Sequence, residues 1–242
     1  MGGEAPAAKD DTPTLIEVVR SLLFYLAFYV GSVLLLTITS PVLLVAPSRS
    51  RFVPDWWSAW HRFSARWCLG IKLVVEGDLP HGGQMVAARH ESFFEAIDMP
   101  RQFDYPAVFA KAELMKIPIW GALGHHYGLI PVEREAGAKA LRAMLAAARK
   151  ATAAGRVLVI FPEGTRTPHG SIAPLQAGFA GIYKLVGLPV VPMAINSGAL
   201  YHRRWKRAGT ITYRFGAVIP PGLPREEIEA RVRAAINVLN EG

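Results

Sequence analysis

Only one cysteine, Cys68, occurs in the 242 residues. A lone thiol excludes an internal disulfide framework and suits a reducing compartment, and its plainest role is that of a small buried hydrophobe. Nucleotide signatures are missing: the chain has no P-loop and no G-x-G-x-x-G, so nothing cradles a nucleotide phosphate in either usual way. There is no G-x-S-x-G either, which removes the elbow a serine esterase would need. The pair His90-Glu91 does not open a zinc-protease motif, because Phe94 occupies the place of the second histidine. Adjacent His125 and His126 have no cysteine or carboxylate cluster near them in sequence, and no metal site is expected. Internal repeats and low-complexity tracts are also lacking. Charged residues make up only 19% of the chain, against 51% hydrophobic. Acidic residues are the scarcer kind, 19 against 27 Lys and Arg, and the resulting +8 implies attraction to something anionic: nucleic acid, a phosphorylated substrate or acidic lipid.

Charge is absent altogether from residues 21–48, "SLLFYLAFYVGSVLLLTITSPVLLVAPS". Residues 21–40 alone would make a helix about 30 Å long, which matches a bilayer core. Pro41 and Pro47 then predict a break or bend. A cleaved signal peptide fits poorly, since the apolar run is too long and Asp10, Asp11 and Glu17 precede it. Either a single span or a bent helical pair is consistent with the pattern. The second arm of such a pair would be "VPDWWSAWHRFSARWCLG", residues 53–70, where Trp56, Trp57, Trp60 and Trp67 mix with Arg62 and Arg66 as at a headgroup interface. An amphipathic helix packed on the domain is the competing reading. Arg49, Arg51, Arg62 and Arg66 after the run, against Lys9 and Arg20 before it, place the bulk of the protein on the cytoplasmic side. Residues 1–70 are therefore expected to form a membrane-anchoring region and residues 71–242 an α/β domain.

From residue 71 short β-branched runs alternate with helical patterns. The expected strands are "IKLVVEG", "QMVAAR", "PAVFAK", "GLIPVE", "RVLVIF", "LPVVPMAI" and "GTITYRFG". The expected helices are "SFFEAIDMP", "IPIWGALGHHY", "AGAKALRAMLAAARKATAAG", "GFAGIYKLVG" and "REEIEARVRAAINVLN", with Gly155 stopping the third. The fold class is α/β, a mostly buried mixed sheet flanked by helices.

In such folds chemistry gathers where strands run into loops. His90 follows one strand, with Glu91, Glu95 and Asp98 behind it. A carboxylate can hold a histidine in the tautomer a general base needs. Ser92 and Glu95 also match a capping box, so Glu95 has a structural alternative. In "FPEGTRT", Gly164 permits a tight turn, Arg166 offers a planar fork for phosphate, and Thr165 and Thr167 offer hydroxyls. Lys111 and Arg134 each end a strand and could bring positive charge to the same sheet edge. The run "HRRWKR", residues 202–207, reads as a solvated or membrane-facing surface rather than a nucleic-acid site.

Four blocks in order make the chain resemble the glycerolipid acyltransferases, especially bacterial 1-acylglycerol-3-phosphate acyltransferases. They are His90 and the acid Glu95 with four residues between them, "KAELMKIPIWG" leading to "GLIPVER", "FPEGTR" intact, and "VVPMAIN". Two positions depart from the family pattern: Glu95 stands where aspartate is usual, and "LQAG" lacks the lysine of F-K-x-G. The resemblance implies transfer of a fatty acyl group from a thioester, acyl-CoA or acyl carrier protein, to the hydroxyl of a lysophosphatidate at a membrane. No cofactor, metal or nucleic acid is implied. His90 would act as base and Glu95 as its partner. Lys111, Arg134 and Arg166 would hold the acceptor phosphate, and Glu163 and Gly164 would shape that site. Glycerol-3-phosphate or another lysophospholipid as acceptor, or a non-catalytic acidic-lipid-binding protein, are the alternatives.

Overall fold

A computed structural model of the chain describes residues 12–46, 49–117, 119–132 and 138–240. The strands fall where the β-branched runs place them: β1 Ile71–Glu76, β2 Met85–Ala88, β3 Ala107–Lys111, β4 Ile130–Val132, β5 Leu158–Ile160, β6 Val190–Ile195 and β7 Gly209–Phe215. They form one sheet in the order β1-β7-β6-β2-β5-β3-β4. Strands β6, β2, β5, β3 and β4 run parallel, whereas β7 pairs antiparallel with β6 and carries β1 parallel at its far side. The sheet is thus mixed, and its parallel part points the carboxyl ends of five neighbouring strands at one edge.

Helices cover both faces. Met85 and Ala87 of β2 join a core with α5 (Ala138–Ala153), α6 (Ala177–Val186) and α8 (Arg225–Ile236). The alternate residues Val86 and Ala88 join a second core beneath α1 (Leu15–Val45), α2 (Phe52–Ser64) and α3 (Phe93–Gln102). This is the two-residue period of a strand buried on both sides. The short α4 (Trp120–Tyr127) and α7 (Gly198–Tyr201) sit in the loops at the sheet's edge.

Helix α1 starts before the charge-free run because Thr14 caps it. Thr14 Oγ1 accepts the Glu17 N–H at 3.2 Å, and the Glu17 carboxylate accepts the Thr14 N–H at 2.8 Å. It also runs through Pro41, contrary to the expected break. Proline removes one intrahelical bond but leaves its neighbours', and the last turn closes through the Ala46 N–H to Val42 O at 2.9 Å. By length and composition Leu15–Thr39 can cross a membrane.

Helix α2 returns along α1 and continues into a wide π turn, Ala65–Leu69, which Gly70 ends in the left-handed region at φ +75. The two helices touch through Trp57 Nε1, which donates to Ser32 Oγ at 2.9 Å, and Trp60 Nε1, which donates to Ala27 O at 3.2 Å. Glycine is required at the crossing, since a Cβ on Gly31 would stand 2.1 Å from Trp60 Nε1. Of the pair, Arg62 faces inward rather than toward headgroups: its Nε and Nη2 donate to the two Asp98 oxygens at 2.8 and 2.6 Å, tying α2 to α3. Burial pushes the Asp98 carboxyl up, against the pull of that guanidinium.

The "HRRWKR" run turns partly inward and clasps α1. Tyr25 OH donates to Arg204 O at 2.6 Å, the Lys206 N–H to Ser21 Oγ at 2.8 Å, and Arg207 Nε to Glu17 Oε1 at 3.0 Å. Lys206 is buried with its ammonium 3.8 Å from the Tyr201 ring, and burial lowers it to about 8. His202 and Arg204 remain exposed.

Candidate active site

The site begins where β2 leaves the sheet. Extended backbone keeps alternating side chains beyond Ala88, so Arg89 and Glu91 turn toward one face and His90 toward the other. Arg89 accordingly meets Asn237 at the end of α8, while His90 lines a cavity shared with Phe28 of α1 and Trp57 of α2. The His90 ring packs on Phe161, centroids 4.4 Å apart.

Ser92 then starts α3, and the Glu95 side chain folds back over the cap. Glu95 makes both the contact to His90 and the helix-cap contacts. Its Oε1 accepts His90 Nδ1 at 2.9 Å together with the N–H groups of Glu91 and Ser92, each at 2.6 Å. Its Oε2 accepts Ser92 Oγ at 2.9 Å and Ser197 Oγ at 2.6 Å. Burial alone would raise this fully buried carboxyl. The hydrogen bond and charge of His90, with help from Ser197 and the Ser92 N–H, hold it below its ordinary value instead. An ionised carboxylate only accepts, so His90 Nδ1 carries the proton and Nε2 is left as the basic nitrogen.

The carboxyl end of β5 supplies the "FPEGTR" loop. Gly164 lies at φ +66, in the left-handed region, and its N–H closes the turn onto Phe161 O at 2.9 Å. Arg166 is exposed, with its guanidinium carbon 4.1 Å from the Phe93 ring centroid, and it lines the same cavity as His90. Glu163 is placed otherwise. It is buried under His90, accepting the His90 N–H at 3.0 Å with one oxygen and Arg89 Nη1 at 3.1 Å with the other. It therefore shapes the site from behind and presents no group to a phosphate. Burial raises its carboxyl, opposed by the His90 N–H and the Arg89 charge. Lys111, at the end of β3, is exposed on the cavity rim with Glu113 3.7 Å away. Arg134 lies outside the described residues.

Several site residues lay beyond sequence reasoning. Ser197, at the end of β6, completes the Glu95 cluster from a hundred residues away, and its hydroxyl also lies 2.7 Å from Ser92 Oγ. Glu91 does not serve His90: its oxygens accept Arg89 Nε at 2.8 Å and the Gly198 N–H at 2.8 Å, with His169 Nδ1 beside them at 3.1 Å. The one legible signal was the spacing of two between Arg89 and Glu91, which puts them on the same side of an extended chain.

The cavity has a volume of about 1040 Å³. Its apolar wall runs from Trp57 and Leu36 on the helical pair to Met144, Phe179 and Leu185 on the opposite side of the domain, with His90 and Arg166 among the few polar groups. That shape suits a ligand with a long apolar body and one charged end. Among the described residues no group of three or more metal-ligating side chains is present.

A family model described as Acyltransferase matches residues 72–196 of this chain. Over 228 residues the chain is 27% identical to a 1-acyl-sn-glycerol-3-phosphate acyltransferase of Pseudomonas aeruginosa, spanning 92% of this chain and 87% of that one. It is also similar to a lysophospholipid acyltransferase of Homo sapiens, 32% identical over 114 residues, 46% of this chain and 21% of the other. Among solved structures, that of the 1-acyl-sn-glycerophosphate acyltransferase PlsC from Thermotoga maritima superposes with a TM-score of 0.64 at 22% identity, covering 93% of this chain and 96% of that chain. At that identity the likeness speaks for the fold. The family match runs from β1 to the end of β6 and takes in the histidine, its carboxylate and the intact "FPEGTR" loop: the chain belongs to the acyltransferase family.

Proposed function

We propose that this acyltransferase moves a fatty acyl group from an acyl thioester, acyl-CoA or acyl carrier protein, to the free hydroxyl of 1-acylglycerol-3-phosphate, giving phosphatidate, with His90 as general base. The observation that carries this reading is the His90–Glu95 contact of 2.9 Å on the wall of a long apolar cavity that Arg166 also lines. The acceptor hydroxyl gives its proton to His90 Nε2 as its oxygen attacks the thioester carbonyl carbon. The tetrahedral intermediate expels the thiolate, which recovers the proton from the imidazolium. Glu95 stabilises that imidazolium through Nδ1. The acceptor's phosphate sits against Arg166, with Lys111 and Arg134 adding positive charge, while Gly164 turns the loop and Glu163 supports it. The apolar helical pair brings the lipid substrates from the membrane, with the α/β domain on the cytoplasmic side.

The test is a panel of lysophosphatidate, glycerol-3-phosphate and other lysophospholipids against both thioester donors, in detergent, beside His90→Ala. Lysophosphatidate is expected to be acylated fastest, and His90→Ala to lose about 10²–10⁴ in kcat. Faster turnover of another acceptor would replace the assigned substrate. Undiminished activity of His90→Ala would remove the base.

A further inference from the structure

His90 is held by its main chain as well as by its ring, and the residue before it organises that hold. Arg89 is fully buried at the end of β2, the largest such side chain in the described residues. A guanidinium has five N–H donors, and here each meets an acceptor. Nε donates to Glu91 Oε1 at 2.8 Å; Nη1 donates to Glu163 Oε1 at 3.1 Å and to Asn237 Oδ1; Nη2 donates to Ser171 O at 2.7 Å and Pro168 O at 3.3 Å. The other Glu163 oxygen takes the His90 N–H at 3.0 Å, and the Thr167 N–H donates to His90 O at 2.7 Å. Both main-chain groups of His90 are therefore fixed by the loop that carries Arg166, and that loop is fixed in turn to Arg89.

The fifth acceptor comes from the far end of the chain. Asn237 follows α8, and Asn240 Nδ2 reaches Ser171 O at 3.0 Å and Asn237 Oδ1 at 2.7 Å. Both asparagines lie beyond residues 72–196, which the family model matches. We infer that Arg89 is a positioning residue for acyl transfer: its buried guanidinium, completed by Asn237 at the end of α8, locks the 161–171 loop onto the main chain of His90, so that the base and the backbone from which Arg166 extends keep one fixed separation. The inference rests on the assignment of His90 as base. A lysine could keep the charge but not the planar fork, because an ammonium is a point charge with three rotatable donors.

Steady-state kinetics with lysophosphatidate and acyl-CoA test this on Arg89→Lys, Glu163→Gln, their double variant, Asn237→Ala and His90→Ala. Arg89→Lys keeps a cation opposite Glu91 and Glu163 but has three donors for five acceptors, so its Tm is expected to fall while the protein stays folded. Its kcat should fall about 10²-fold, the scale of a misplacement of about 1 Å. Glu163→Gln should fall by about as much. Because both break the same chain of contacts, the double variant should also fall about 10²-fold instead of the roughly 10⁴ that independent losses would multiply to. Asn237→Ala leaves every charge paired but strands one buried Arg89 N–H, so kcat should fall about 10-fold with a modest drop in Tm. A multiplicative double variant, or parent kcat in either Arg89→Lys or Asn237→Ala, overturns the positioning role; if Arg89→Lys does not fold, Asn237→Ala decides alone. An inactive His90→Ala beside parent-like Arg89→Lys and Asn237→Ala sinks only the positioning role. A fully active His90→Ala sinks the base, and the positioning role that rests on it falls with it.

Discussion

His90 and Arg166 line one cavity, yet their surroundings differ in kind. The His90 ring is held by a buried carboxylate that accepts five hydrogen bonds, two of them from main chain, while Arg166 stands exposed over the face of Phe93. Lys111 resembles Arg166, with an acid 3.7 Å away and its side chain 61% exposed. Under the roles proposed for them, the contrast follows from what each group has to do. A proton-transfer group must meet the reacting oxygen in one geometry, and misplacement is costly. A phosphate contact works through charge and a flexible stem, and tolerates adjustment as the substrate enters. The floor is thus preorganised and the rim adjustable.

The sharpest way to break that comparison is Glu95→Gln. A neutral amide cannot stabilise the imidazolium, and it turns an N–H₂ group toward a pocket lined with donors, so kcat should fall by about 10³–10⁴. A loss below about tenfold would show that the buried carboxylate serves α3 and not the base. Next comes Arg166→Ala. Losing one charge-assisted contact of about 1.5–3 kcal/mol should raise the acceptor KM about 10–100-fold, with kcat changed far less. If kcat falls as far as it does in Glu95→Gln, the rim is no more adjustable than the floor. Lys111→Ala should raise the acceptor KM only a few-fold, and the effect should fade at high salt, as expected of an exposed charge. A salt-independent loss would place Lys111 deeper than its exposure suggests.

The smallest effect lies in acid stability. In the folded protein Glu95 titrates below the ordinary value of 4.5, so its contribution to stability is present above that pH and is lost as pH falls through the folded value. Thermal melts of parent and Glu95→Gln should therefore converge as pH drops below about 4.5. A gap that stays constant to pH 3 would mean that the carboxylate is not ionised in the folded state.

The sequence made some of this legible and hid the rest for physical reasons. The strands could be read because they are short apolar runs bounded by turn residues, and the central β2, β5 and β6, buried on both faces, leave that pattern cleanest. The His90–Glu95 pair and the glycine turn at Gly164 could also be read, because both are local. Ser197 and Asn237 could not, since they reach the site only through the strand order of the finished sheet. Glu163 was visible as a motif residue, but its direction was not: burial between Arg89 and the His90 N–H is a fact of packing. At the amino terminus the charge-free run concealed the true start of α1, which Thr14 and Glu17 set, and Pro41 suggested an end that the helix does not observe.

The way α1 is joined to the rest bears on how this enzyme can be handled. Phe24 and Phe28 belong to the same core as Val86 and Phe94 of the α/β domain. Cutting the helix away to obtain a detergent-free preparation would strip that core and leave the 202–207 clasp without its partner. Surface redesign is the better route: polar replacements on the outward residues Leu22, Leu23, Leu26, Val33 and Leu34 would keep the packed stripe intact while removing the greasy exterior.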